Sequence, residues 1–199
     1  MLEIEAKFHV ADLHKVEERL VNLGATLIHP RQFEHNDRFD TPDRRLSSAA
    51  KVLRLREADS KTLTYKEPCG QGKDDLIRRE LELEIGDMRV AGELLQALGF
   101  IRTQSYEKYR STYSFQETQV MLDELPIGDF IEIEGPDVET IQKVAGLMDF
   151  TWGKRIGRGY LILFNDLRKL IINPPNDMTF SSPQINYPPL ETIGIQPAD

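Results

Sequence analysis

The chain has 199 residues, of which 40% are hydrophobic, and a net charge of −8. This apolar content is sufficient for one domain with a buried core, while the negative charge argues against binding to nucleic acid or to an acidic membrane surface. The single cysteine, Cys69, excludes an internal disulfide, and no apolar run approaches the roughly 20 residues of a membrane span.

The N-terminal sequence MLEIEAKF has no basic region followed by an apolar run, so we predict no secretion signal and expect a cytoplasmic protein. Within it, Glu3, Glu5 and Lys7 alternate with apolar residues. Alternation with period two is the sequence signal of a β-strand with two different faces. The chain is therefore expected to begin with a strand that carries its charges on one face.

Hydrophobic periodicity predicts further elements along the chain. Helices are expected at about 12–23, at about 87–98 and after Pro136-Asp137, with Gly24 and Gly99 ending the first two. Strands are expected at about 2–8, 33–40, 52–57, 62–66, 78–85, 106–115, 119–124 and 130–134. Short turns favour antiparallel pairing, and a weak repeat of LVNLG (20–24) and LQALG (95–99) suggests two similar halves.

The C-terminal segment differs in composition from the rest. Six of the 11 prolines follow Ile172, and residues 173–199 have no helical or strand period. We therefore predict a main domain over 1–172 and an extended tail over 173–199. Apolar tail residues could dock on the main domain or on a second chain in a homodimer; they are Phe180, Ile185, Tyr187, Leu190 and Ile193.

The charged faces of the predicted strands have an unusual pattern. Like charges recur two residues apart, as in Arg54 and Arg56 or in Glu132 and Glu134. Such neighbours lie about 7 Å apart and repel one another. A solvated sheet face explains any one strand, but the whole set indicates counter-ions: a hard divalent cation for paired carboxylates and phosphate for paired cations. A sheet that closes on itself would gather these charges in one lumen.

At this point the sequence resembles a known family. Glu3-Ile-Glu-Ala-Lys7 is similar to the ExExK signature of the CYTH superfamily, the triphosphate tunnel metalloenzymes, which include class IV adenylyl cyclases, thiamine triphosphatases and tripolyphosphatases. The resemblance extends over about residues 1–165, through FDTPD (39–43), LRLR (53–56), LTYK (63–66), RRELELE (78–84), EKYR (107–110), LDELP (122–126), FIEIE (130–134) and GYLILF (159–164). It implies an α+β fold: a closed eight-stranded antiparallel β-tunnel with helices packed on the outside.

The resemblance also implies roles for individual residues. The implied ligands of Mg²⁺ or Mn²⁺ are Glu3, Glu5, Asp123, Glu132 and Glu134, with Glu5 and Glu134 essential for catalysis. The implied phosphate-binding residues are Lys7, Arg54, Arg56, Lys66, Lys108 and Arg110. Glu80, Glu82 and Glu84 either bind metal or water or hold the cations through ion pairs, and Lys154 and Arg155 could reach the tunnel mouth.

The implied activity is metal-dependent hydrolysis of a triphosphate-bearing small molecule, either tripolyphosphate or an organic triphosphate such as thiamine triphosphate or a nucleotide. Class IV cyclases often carry a His-Phe element ahead of ExExK, and here ExExK begins at Glu3, which favours the hydrolase. An adenylyl cyclase that makes cyclic AMP and pyrophosphate, and a non-catalytic polyphosphate-binding module, remain alternatives. No glycine-rich P-loop motif is present.

Overall fold

A computed structural model of the chain describes residues 2–69, 76–182 and 186–199, and these contain eight strands that form a closed antiparallel barrel. The strands are β1 (Leu2–Val10), β2 (Thr26–Asp40), β3 (Val52–Glu57), β4 (Lys61–Pro68), β5 (Ile77–Glu84), β6 (Ile101–Phe115), β7 (Thr118–Leu125) and β8 (Gly128–Glu134). Neighbours follow the order β1-β5-β4-β3-β2-β6-β7-β8, and β8 pairs with β1 to close the ring. The predicted closed eight-stranded sheet is confirmed.

Helices cover the outside of the barrel. They are α1 (Leu13–Asn22), the single turn α2 (Arg45–Ser48), α3 (Met88–Ala97), α4 (Val138–Leu147) and α5 (Tyr160–Arg168). Asp12, Asp87 and Asp137 cap α1, α3 and α4 by accepting hydrogen bonds from backbone N–H groups of the first turn. The three predicted helices are therefore present. In the described part of the chain, no helix is both long and apolar enough to span a membrane.

Helix α5 was not predicted as a helix. Its sequence YLILFNDLR places apolar residues on several sides, and Leu163, Phe164 and Leu167 are fully buried. The helix lies between the barrel and the C-terminal segment, so it is covered on more than one side. A helix that is buried around most of its circumference shows little amphipathic periodicity, which explains the failure of the pattern.

Two strands begin well before their predicted starts. β2 begins at Thr26 and β6 at Ile101, several residues before their expected starts. Residues 26–31 of β2 are exposed, so neither face is selected to be apolar and the alternation is lost. The register of β2 against β6 also shifts between His29 and Gln32, around Pro30, which has no N–H to donate to the ladder.

The apolar faces of the strands point outward and form the core beneath the helices. α1 and α4 cover β1, β7 and β8 through residues such as Val16, Leu20, Ile141 and Val144, all 0–2% exposed. α3 covers β3 less completely, because Leu95 is buried while Leu94 and Leu98 are 61% and 67% exposed. Since apolar side chains face these helices, the charged side chains of the same strands face the barrel lumen.

The C-terminal segment packs along the barrel. Met178 forms a parallel bridge with Tyr106, donating to Ser105 O at 3.0 Å and accepting from Glu107 N at 2.9 Å. Leu190 and Ile195 are buried against α5. Among the other predicted docking residues, Tyr187 and Ile193 pack on the same cluster and Phe180 is 43% exposed, while Ile185 lies outside the described residues.

Candidate functional site

The barrel encloses a cavity of about 250 Å³, which we call the lumen. Ten of the predicted metal- and phosphate-binding residues line it. Two of the three glutamates for which the sequence left two roles possible also line it. They are Glu3, Glu5, Lys7, Arg54, Arg56, Lys66, Lys108, Arg110, Glu132 and Glu134, with Glu80 and Glu82. Strand register brings these residues together from six strands, because each lies at an inward-facing position of its own strand.

One side of the lumen carries an excess of negative charge. Glu5 lies directly opposite Glu134 in the β1–β8 pair. The pKa of Glu5 is raised, mainly by burial and secondly by the charge of Glu132. The pKa of Glu134 is also raised, mainly by burial and secondly by the charges of Glu3 and Glu5. The Oε2 atom of Glu3 is buried without a hydrogen-bond partner. The negative charges of Glu5 and Glu134 are therefore not fully compensated by neighbouring cations.

This donor set fits a divalent cation. Mg²⁺ and Mn²⁺ prefer carboxylate oxygens, and the unpaired Oε2 of Glu3 is an acceptor of that kind. The described residues contain no three Asp, Glu, His or Cys side chains already at ligand spacing. Glu3 and Glu132 are instead held by lysines, Glu3 by Lys66 at 2.5 Å and Glu132 by Lys7 at 3.0 Å.

Next to Glu5 and Glu134 on the same strands begins a network in which carboxylates hold cations. Lys7 and Arg110 both pair with Glu132, and Lys108 lies 3.5 Å from Glu34. Burial opposes ionisation of Glu132 and Glu34, but the surrounding cations outweigh it and lower the pKa of both carboxyls. The main cation is Lys7 for Glu132 and Lys108 for Glu34, and the pKa of Glu34 falls to about 2. Both carboxylates therefore stay ionised at neutral pH and fix the positions of the cations.

Asp123, which we predicted as a metal ligand, belongs to this network. It is 0% exposed and does not line the lumen. Its Oδ1 accepts from Arg110 Nε at 2.6 Å, and its Oδ2 accepts from Lys108 at 3.0 Å and from Tyr160 Oη at 2.8 Å. With both oxygens engaged by protein donors, Asp123 orients the cations from behind.

Arg54 and Arg56 are less constrained by the protein. Arg54 donates to Tyr106 Oη at 3.1 Å, and Arg56 approaches Glu82 at 3.5 Å. The Nε atoms of both arginines are buried without a hydrogen-bond partner. Buried guanidinium donors are normally satisfied, so both side chains have capacity for an anion.

The remaining predicted residues separate into two groups. Glu82 accepts from Thr64 Oγ1 at 2.7 Å, and Glu80 lies 3.4 Å from Lys66, which fits the ion-pairing alternative. Glu84 is exposed and lies outside the lumen lining. Lys154 donates to Pro197 O at 2.6 Å and Arg155 to Trp152 O at 3.4 Å, and neither side chain lines the lumen.

Arg38 and Tyr160 are among the lumen residues that sequence reasoning missed. A signal for Arg38 existed, because it continues the inward-facing series of Glu34 and Asn36 on β2. Tyr160 had no comparable signal, since it enters from α5. Its ring lies 4.2 Å from Lys7 Nζ and 5.0 Å from the ring of Phe130, so it packs against the network described above.

Comparison with known proteins identifies the family. The CYTH domain profile matches residues 1–148. A protein of Methanocaldococcus jannaschii named "Putative adenylate cyclase" is 31% identical over 139 residues, which are 67% of this chain and 77% of that protein.

Two solved structures share the fold. One, from Vibrio parahaemolyticus and described as a "putative adenylate cyclase", has a TM-score of 0.72 and 23% identity over 83% of this chain and 98% of its own. Another, from Hippeastrum, is described as a "putative adenylyl cyclase" with "a dominant" triphosphatase activity. It has a TM-score of 0.61 and 19% identity over 83% of this chain and 95% of its own. By its fold and by the family profile, which covers most of its length, this chain belongs to the CYTH domain family.

Proposed function

We propose that this protein is a divalent-metal-dependent triphosphatase that hydrolyses tripolyphosphate or a small organic triphosphate inside the barrel. The observation that carries the proposal is the division of charge within one lumen. Carboxylates with an excess of negative charge, including Glu5 and Glu134, lie in the same cavity as arginines with unsatisfied donors, Arg54 and Arg56. A chelate of a divalent cation with a triphosphate complements both groups.

The cations would bind and orient the phosphate chain. Arg54 and Arg56 present planar guanidinium groups that suit bidentate contacts with phosphate oxygens. Lys7, Lys66, Lys108 and Arg110 add charge in a partly buried setting, where electrostatic interactions are stronger than in water. Because this charge is fixed before the substrate binds, it can stabilise the negative charge that develops on the leaving phosphate.

The metal would be held by Glu3, Glu5 and Glu134, because the two oxygens of the fourth lumen carboxylate, Glu132, are engaged by Lys7 and Arg110. A bound Mg²⁺ or Mn²⁺ supplies charge neutralisation at phosphate oxygens and lowers the pKa of a water molecule. No serine or cysteine is among the described residues that line the lumen, so a covalent phosphoryl-enzyme intermediate on such a residue is not part of the proposal. Water is the expected nucleophile.

A cyclase is the second candidate, supported by the name of the 31% identical relative from Methanocaldococcus jannaschii. The same cations could hold ATP so that a ribose hydroxyl attacks the α-phosphorus. The two activities differ in the nucleophile and in the phosphorus atom attacked. Their products therefore separate them.

The test is product analysis of the full chain with tripolyphosphate and with ATP, each with Mg²⁺ and with Mn²⁺. We expect metal-dependent release of orthophosphate, lost in Glu134→Gln and kept in Glu84→Gln, which removes an exposed carboxylate outside the lumen. Cyclic AMP and pyrophosphate as the main products from ATP would instead establish the cyclase. Tight binding of tripolyphosphate without turnover in either metal would establish a non-catalytic binding module.

A further inference from the structure

A second and larger cavity adjoins the lumen. It has a volume of about 510 Å³, and we call it the vestibule. Arg38, Val52, Gly159 and Leu161 line both cavities, so the two share a boundary. None of the residues assigned above to metal or phosphate lines the vestibule. A ligand that extends beyond the lumen across this boundary would enter it.

The described lining of the vestibule is strongly basic. Its cationic residues are Arg38, Arg44, Lys51, Arg78 and Arg168, and its one acidic residue is Asp40. Asp40 offsets only part of this charge and forms no ion pair with a described residue; its two oxygens accept hydrogen bonds from the backbone N–H groups of residues 41, 46 and 47. In a chain with a net charge of −8, this local excess of positive charge indicates an anionic ligand.

Arg38 is the central residue of this basic lining. Its guanidinium forms no hydrogen bond or ion pair with any described residue, and its Nε is buried. It lies directly opposite Arg54 in the β2–β3 pair, where like charges are unfavourable. Burial and the charges of Arg54 and Arg78 lower the pKa of Arg38, against opposing contributions from Tyr106 and Asp40. A buried charge without a partner is costly, and a ligand anion would relieve the cost.

The unsatisfied donors continue into the vestibule. Among the described residues, five arginines have a buried Nε without a partner: Arg38, Arg54, Arg56, Arg78 and Arg168. Each of them lines the lumen or the vestibule. The start of α5 also lies at the shared boundary, through Gly159 and Leu161, and the N-terminal end of a helix favours negative charge. The cationic surface is thus continuous between the two cavities.

We propose that Arg38, Arg78 and Arg168 form a subsite for a phosphoryl group beyond the third, so that a linear polyphosphate of four or more phosphates extends from the lumen into the vestibule. This rests on the proposed binding of a triphosphate in the lumen. The continuity of the cationic surface favours a charged chain over an uncharged organic group, for which the vestibule would offer Phe39, Leu161 and Ile162.

The test compares dissociation constants of tripolyphosphate, tetrapolyphosphate and ATP for the full chain by isothermal titration calorimetry in metal-free buffer. We expect tetrapolyphosphate to bind about tenfold more tightly than tripolyphosphate, which corresponds to about 1.4 kcal/mol. Arg38→Gln and Arg78→Gln should reduce this ratio to about one to threefold. Arg79→Gln should keep it, because Arg79 is the exposed neighbour on the other face of β5, paired with Glu67.

Equal affinity of the wild-type chain for the two polyphosphates, or an unchanged ratio in both variants, would overturn the proposal. Tighter binding of ATP than of tetrapolyphosphate would assign the vestibule to an organic group and would also overturn it. If Arg38→Gln does not fold, Arg78→Gln carries the same comparison. Absence of triphosphate turnover with Mg²⁺ or Mn²⁺, together with the expected ratio, would refute the proposed hydrolysis and leave the subsite in place.

Discussion

Glu5 and Glu134 occupy directly opposed positions of β1 and β8, the two strands whose pairing closes the barrel. Two carboxylates at such a position repel each other, which costs stability unless a cation lies between them. The raised pKa of each carboxyl agrees with this arrangement. The strand pair that closes the fold is therefore also the pair on which the proposed metal site depends.

Replacing Glu5 or Glu134 should remove the dependence of thermal stability on a divalent metal ion. Without metal, we expect Glu134→Gln to be as stable as the wild type or about 0.5–1 kcal/mol more stable at neutral pH, because the repulsion is removed. Mg²⁺ or Mn²⁺ should raise the melting temperature of the wild type but not of Glu5→Gln or Glu134→Gln. Both variants should lose about 100-fold in turnover, or about 2.7 kcal/mol. Thermal denaturation with and without metal measures the first two effects.

The pH dependence of the metal-free wild type gives an independent check on this pair. A carboxyl whose pKa is raised in the folded protein binds its proton more tightly there than in the unfolded chain. The contribution of this pair to folding stability should therefore fall as the pH rises from 4.5, the usual pKa of a Glu side chain, through the raised pKa values of the folded protein. Glu84→Gln serves as the control and should follow the wild type. In the experiment with metal described above, loss of the metal-induced stabilisation in Glu84→Gln, equal to that in Glu5→Gln and Glu134→Gln, would contradict the assignment of Glu5 and Glu134 to the metal site.

Asp123→Asn should destabilise the fold and leave metal affinity unchanged. The substitution removes the buried charge that holds Lys108 and Arg110, and breaking such a pair costs about 3 kcal/mol or more. Binding of tripolyphosphate should also weaken, because these cations lose their orientation. Chemical denaturation and calorimetry measure the two effects. Asp43→Asn, in an exposed pair with Arg45, should cost far less stability than Asp123→Asn. Loss of metal affinity at unchanged stability would restore Asp123 as a ligand.

Glu34 should contribute to stability in a defined pH range. Its pKa falls from 4.5 to about 2 in the folded protein, so its contribution is complete above pH 4.5 and is lost as the pH falls towards 2. A shift of this size corresponds to about 3 kcal/mol at most. Glu34→Gln should therefore be less stable than the wild type at pH 7, and the difference should shrink below the usual carboxyl pKa. Urea denaturation across pH measures it, with the exposed Glu117→Gln as the control.

Removal of residues 173–199 should destabilise the barrel, although composition alone predicts a separate tail. Met178, Leu190 and Ile195 are buried, and a buried side chain of this kind contributes about 1.5–3 kcal/mol. We expect a lower melting temperature for residues 1–172 than for the full chain. Met178→Ala should cost about 2–5 kcal/mol, whereas Phe180→Ala, at a partly exposed position, should cost less. Unchanged stability of residues 1–172 would show that the tail is separable.

Several parts of the fold could be predicted from local sequence. The helices α1, α3 and α4 combine an Asp cap with apolar residues at helical spacing, and both signals act within a few residues. The strands with one apolar and one charged face could also be predicted from the sequence, because side chains alternate between the two faces of a strand whatever that strand pairs with. α5 could not, since it is buried on several sides.

Local sequence also placed most of the candidate site residues on common faces, but their roles depended on partners distant in the chain. Asp123 has the chemistry of a metal ligand, yet Lys108, Arg110 and Tyr160 occupy its oxygens. Arg38 gains its significance only from Arg54 across the strand pair and from the second cavity. Contacts of this kind come from packing and are not encoded in any one segment.

The sequence by itself determined that Glu3, Glu5 and Lys7 share one face of a strand and that their apolar neighbours share the other, because the backbone alternates its side chains. Only the tertiary structure decided which face is enclosed. The pairing of β8 with β1 curves the sheet into a ring, and the helices cover its apolar exterior. Burial of that exterior, which the hydrophobic effect favours, turns the charged faces towards a common lumen.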